Sequence, residues 1–162
     1  MQFSVEIIYN NFVKLYMERI TDLIESLQTF NDNINEYLQL ATREAEEVIL
    51  DMNRSQMYDK GIDRNGNAIQ PPYAPATIQY KRRKGQPTNR VTLRDKGDFH
   101  LSLYIEYDTD GFEIKDDDFK TPFLTRKYGV AVLGLTDSNV KILADEVYQP
   151  RLLEILKDRL GV

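Results

Sequence analysis

Residues 61–107 read GIDRNGNAIQPPYAPATIQYKRRKGQPTNRVTLRDKGDFHLSLYIEY, and the reading of this stretch decides the fold. It holds a tight-turn pair at Asn65 and Gly66, a proline-rich run, four consecutive cations at 81–84 and, at its end, a strand. Such a stretch is too rich in Pro, Gly and Asn for one helix and too long for an ordinary connection. It is expected to carry the function, with the flanking sequence as helical support.

Within it, Asn65 and Gly66 suit a two-residue hairpin turn with both residues at positive φ, which sets Ile62 opposite Ile69. The spacing of Asp63, Asn65 and Asn67 hints at a calcium loop. Ala68 stands where that loop needs glycine and Ala74 where it needs a bidentate glutamate, so the hairpin is preferred. Residues 71–75 should run extended and lead through 77–80 into the cations. The result is a projecting arm whose candidate interface or DNA-facing residues are Tyr73, Tyr80, Lys81, Arg82, Arg83, Lys84, Arg90 and Arg94. The plain alternative is a solvated charged loop with no partner. The arm is expected to be mobile until a neighbouring chain orders it.

Downstream, Leu101, Leu103, Ile105 and Tyr107 alternate with His100, Ser102, Tyr104 and Glu106, which is the period of a half-buried strand. Asp110 and Gly111 offer a turn, and 112–115 return. That register places Tyr107 opposite Ile114, Glu106 opposite Lys115 and Asp108 opposite Glu113.

On the N-terminal side, Phe3, Val5 and Ile7 alternate with polar residues and suit a short strand. From about Asn11, the residues Phe12, Tyr16, Ile20, Leu23, Ile24 and Leu27 form a helical stripe that stops at Asn31, Asp32 and Asn33. That cluster can cap a second helix over 34–60, roughly 40 Å long. On the C-terminal side, 116–118 is a loop, 122–129 a short helix closed by glycine, and 130–133 a short strand. Thr136 caps a last helix, with Leu135 and Val140 as a hydrophobic staple and Val140, Leu143, Ala144 and Val147 as its buried face. Pro150 must kink or restart that helix before Leu152, Leu153, Ile155, Leu156 and Leu160. These elements predict a single domain over 1–162 of α+β class: long N-terminal helices and a C-terminal helix packed on a small antiparallel sheet, with a long extended loop arm.

Composition narrows the function classes. A formal net charge of −5 means that any affinity for nucleic acid must come from a local patch. The absence of cysteine removes disulfides, thiolate nucleophiles and thiolate zinc sites. No apolar run approaches a membrane span, and the start MQFSVEIIYNNF has neither a basic head nor a cleavage-like end, so no membrane partner and a first location in a cytoplasm are expected. A hydrolase would need His100, the sole histidine, as its base, and no glycine-flanked nucleophile accompanies it. Glu113 and Lys115 have the spacing of a metal-dependent nuclease, with Asp98 or Asp108 as a second ligand, but Glu106 already offers Lys115 an ion-pair partner. Glu44, Glu46 and Glu47 lack the paired Glu-x-x-His of a di-metal site, and no glycine-rich phosphate loop occurs. No cofactor, metal or catalytic role is expected.

The order of these pieces resembles a known family. A long helix, then Gly61, Ile62 and Asp63 with Asn65 and Gly66, then the run PYAPAT at 72–77, the cations to Gly85, Gln86 and Pro87, and VTLRDKGDF at 91–99 is similar to the tailed-phage virion-morphogenesis and tail-completion proteins of Mu-like type. Tyr128 and Gly129, and the run LGLT at 133–136, extend the likeness over residues 35–160. Lys96 stands where relatives often have threonine, and residues 1–30 have no counterpart and read as an addition. The resemblance implies a non-catalytic α+β virion subunit, assembled in the host cytoplasm into a homo-oligomeric ring at the neck, head–tail connector or tail end. Its implied partners are copies of itself, other neck, portal or tail proteins, and DNA passing through the channel. A different reading, a free nucleic-acid-binding module, uses 81–84 with Tyr73 and Tyr80 as stacking groups.

Overall fold

A computed structural model describes residues 2–109 and 111–162, and for residues 2–8 the backbone alone. The chain is an α+β fold with long helices and one two-stranded antiparallel sheet. Helix α1 runs Gln2–Asp32, so the strand expected at its start is helix instead. The alternating residues there have no strand to pair with, and no glycine or proline separates them from the helical run, so the helix propagates through them.

The break at Asn33 falls where the polar cluster predicts it, but Asn33 works backwards. Its amide donates to Thr29 O at 2.7 Å, satisfying the end of α1, and it makes no side-chain cap on α2, Ile34–Glu44. The expected single helix over 34–60 is three pieces: α2, α3 (Glu46–Ser55) and a wide π turn, Gln56–Lys60. The break at Ala45 has a local cause. Thr42 Oγ1 donates back to Leu38 O at 2.8 Å and also meets the Tyr148 hydroxyl at 2.9 Å, which wedges the helix open one turn later.

Gly61 ends this run at φ 65, and a Cβ there would stand 2.7 Å from Arg90 Cβ. Glycine is therefore required twice over, by backbone and by space. Beyond it Ile62 pairs with Ala68, not Ile69, and among the described residues Leu93 is the one non-glycine residue at positive φ, so Asn65 does not adopt the expected turn geometry. Asp63 Oδ1 accepts from the amides of Asn65 and Asn67 at 2.9 and 3.0 Å and shapes the turn itself.

Residues 71–90 do not project. Helix α4, Pro75–Arg83, occupies their centre, and Val91 and Leu93 beyond it enter the core. A short helix α5, Asp98–Leu101, precedes strand β1, Leu103–Tyr107, which pairs with β2, Phe112–Asp116. Ile105 lies opposite Ile114 and Tyr107 opposite Phe112, a shift of two residues from the expected register. The connection spans 108–111, and the expected turn residue Asp110 lies outside the described residues. The faces survive the shift because the side-chain period is two.

Helix α6, Thr121–Tyr128, ends at Gly129 as expected, but 130–132 form a 3-10 turn where a strand is predicted. Thr136 caps α7, Asp137–Leu143, accepting from Asn139 N, and Pro150 opens α8, Gln149–Leu160, after a π turn over Ala144–Tyr148. Of the expected face of this last segment only Leu143 is buried; Val140 and Ala144 are exposed. Leu143 joins Ile49, Leu50, Met57, Leu103, Ile105 and Ile114 in the core.

Helix α8 instead runs antiparallel along α2. Arg151 holds Glu44 through two hydrogen bonds of 2.7 and 2.9 Å, and Arg159 covers the Tyr37 ring at 5.0 Å.

Candidate functional site

The residues singled out in the arm lie on α4 and on the strap that follows it. Pro75 occupies the first turn of α4, where its missing N–H costs nothing, and Lys81, Arg82 and Arg83 fill the last turn, where cations complement the helix dipole. The end is closed by Gly85 at φ 65, with Gly85 N donating to Arg82 O at 3.1 Å and Gln86 N to Lys81 O at 3.0 Å. The four cations are thus a helix C-terminus, not an extended arm, and the Pro-to-Gly spacing of 75 and 85 is the signal for it in the sequence.

Lys81 turns inward and is 4 % exposed. Its ammonium donates to Gln86 Oε1 at 3.0 Å, Thr92 Oγ1 at 3.3 Å and Arg94 O at 2.6 Å, and stands 5.0 Å from the Tyr73 ring centroid. Three donors meet three acceptors, with an aromatic face as a fourth contact. Lys81 therefore cannot meet a phosphate or a neighbouring subunit. The Tyr73 hydroxyl accepts from Thr92 N at 2.8 Å, and Lys81 lies over one face of its half-buried ring, so the side chain is engaged within the fold.

Lys84 is outside but engaged. Its amine pairs with Asp95 at 2.5 Å and covers the Tyr80 ring at 4.5 Å. The hydrogen bond that the Lys84 amine donates to Asp95, with Tyr80 beside it, raises the Lys84 pKa, and the same amine lowers that of Asp95. Arg90 donates to Tyr58 O at 2.8 Å, and Arg94 lies over the Tyr58 ring at 4.8 Å. Of the eight residues, Arg82 and Arg83 are the exposed cations that meet no side-chain partner among the described residues.

Tyr73, Tyr80, Lys81 and Arg94 do come together, around a cavity of about 260 Å³ between α4, residues 93–99 and α6. Phe99, Leu124 and Tyr128 make its apolar wall. The carboxylates nearby are occupied: Asp95 by Lys84 and Asp98 by Lys120 at 3.4 Å. Glu113 and Lys115 pair with each other, and Lys115 also reaches Glu106 at 3.5 Å. Among the described residues no cluster of three His, Asp or Glu side chains could hold a metal ion, and no helix is long and apolar enough to cross a membrane.

His100 is buried. Its Nε2 donates to Thr92 O at 2.8 Å and its ring meets the edge of Tyr58, so it ties α5 to the strap carrying Thr92. Burial lowers its pKa, with the Arg94 and Arg54 guanidinium groups adding to that effect and the Thr92 carbonyl and Asp116 opposing it.

A second polar junction escaped the sequence altogether. Asn53 Nδ2 donates to Val132 O and Gly134 O at 3.1 and 2.9 Å. Gln56 Oε1 accepts from Thr136 N at 2.9 Å and Asn139 Nδ2 at 3.1 Å, while its Nε2 donates to Gly134 O at 3.1 Å. Both side chains are buried, and they fasten residues 132–139 to α3 through Asn53 and to the π turn through Gln56. Nothing in their local sequence distinguishes them from exposed helix polar groups. No protein-family model, curated protein or solved structure matches this chain.

Proposed function

We propose that this chain is a non-enzymatic structural protein of a tailed phage or prophage, a subunit of the neck, head–tail connector or tail-completion ring. The observation that carries the reading is helix α1. Ten large apolar side chains between Tyr9 and Leu27 are 40–66 % exposed along it, more apolar surface than a protein working alone keeps in one place. That surface favours a component whose working state is an assembly. The resemblance over residues 61–99 supplies the kind of assembly, and its copies, the adjoining neck, portal or tail proteins and the virion follow as partners and location. DNA passing through such a ring would meet few free cations on α4, since Lys81 and Lys84 are engaged within the fold. This favours a protein-facing role over tight phosphate binding.

The test is deletion of the gene from the phage or prophage that encodes it, with complementation in trans. The expected result is filled heads and tails that fail to join or finish, rescued by the intact chain. Normal infectious particles without the chain would overturn the proposal.

A further inference from the structure

The exposed apolar residues of α1 follow a rule. Tyr9, Val13, Tyr16, Ile20, Leu23 and Leu27 are separated alternately by four and three positions, the spacing that holds a stripe against a second helix over many turns. The same alternation continues without a slip through Phe30, Ile34, Tyr37 and Ala41.

The lower half of this seam already has its helix. Tyr37 and Ala41 are buried, Phe30 stacks on Tyr37 at 5.3 Å, and α8 lies alongside with Arg159 over the Tyr37 ring. Helix α8 then stops at Leu160. From Leu27 upward the seam continues and its partner within the chain does not, which is why exposure rises from 7 % at Tyr37 to 47 % at Leu27.

We propose that the upper seam packs against the α1 helix of a second copy of this chain. A four-three stripe asks for a helical partner, and all six of its positions are uncharged, so two identical seams meet without opposing like charges. The charged groups lie off the seam: Lys14 pairs with Glu18 at 3.9 Å on the outer face, where Asp22 and Glu25 also fall, and Arg19 flanks the seam on the side opposite Met17. Ten apolar side chains left about half exposed present on the order of 800 Å², the area each partner buries in a stable interface. Met17 and Ile24, seven positions apart, widen the seam along one flank and give the helix a second apolar strip for a further copy, as a ring of more than two chains requires. The inference rests on the reading of the chain as an assembly subunit and names the partner of the surface that carries it.

The test is sedimentation of the full chain over a range of micromolar concentrations. The wild type should self-associate, Ile20→Glu with Leu23→Glu should weaken association by about a hundredfold or more, and Glu18→Gln should leave it intact. Because the chain has no cysteine, the double variant Tyr16→Cys, Ile20→Cys should oxidise to a covalent dimer when the copies run parallel in register or antiparallel about position 18, and Glu18→Cys should not. A chain monomeric throughout, association untouched by the paired glutamates, or equal cross-linking from position 18 would each overturn the pairing. A monomeric chain found in virions would sink the pairing and spare the assembly reading. A pairing chain absent from virions would do the reverse.

Discussion

The ammonium of Lys81 lies 2.6 Å from the carbonyl oxygen of Arg94, inside the protein, although it opens a run of four cations in the sequence. That bond fixes α4 to the strap over 91–97 and, with Thr92 and Gln86, uses every proton the amine carries. Lys81→Met keeps most of the volume but leaves a buried carbonyl and hydroxyl short of a donor, and should cost about 2–3 kcal/mol. Arg82→Ser and Arg83→Ser should each change stability by less than about 0.5 kcal/mol. Urea unfolding of the three variants checks the contrast; equal, small effects would show that Lys81 is not held as described.

The four cations are therefore not interchangeable. Replacing all of them with serine would confuse an unfolding effect at Lys81 with any surface effect, so assembly experiments should use Arg82 and Arg83 alone.

Gln56 is the second point of strain if removed. Gln56→Ala withdraws the acceptor for Thr136 N and Asn139 Nδ2 together with a donor to Gly134 O, and should lower stability by about 2–4 kcal/mol. Hydrogen exchange should show the loss first at the amides of 134–139. An unchanged denaturation midpoint would contradict the network.

His100 gives a pH dependence whose sign follows from its environment. The folded state favours the neutral ring, so its pKa lies below the ordinary value near about 6.5 that the unfolded chain retains. Its contribution is complete above that pH and is lost as pH falls from there through the folded pKa. His100→Gln should lose less stability between neutral and mildly acidic pH than the wild type does. The ring resonance, followed by NMR, should titrate below the free-histidine value; titration at or above it would reverse the argument.

Much of the fold was legible because single residues punctuate it: the polar cluster before α2, Gly129 after α6, the Thr136 cap and Pro150 at the start of α8. The hairpin was legible as a hairpin, but a two-residue slip preserves both faces, so alternation alone could not choose between Phe112 and Ile114 as the partner of Tyr107. The candidate site was misread for a different reason. Pro-rich entry and basic exit hid a helix, and burial of Lys81 depends on Gln86, Thr92 and Arg94, which periodicity cannot bring together. The stripe of α1 was visible as a helix, yet its lack of a partner within the chain could only be seen once α8 was placed.

Electron microscopy of the native particle, taken from phage lysate without dissociation, tests the central claim most directly. The account predicts a closed ring of identical copies, sixfold or twelvefold as the phage resemblance implies, located at the neck or tail end of the virion. A stable monomer absent from virions would contradict it.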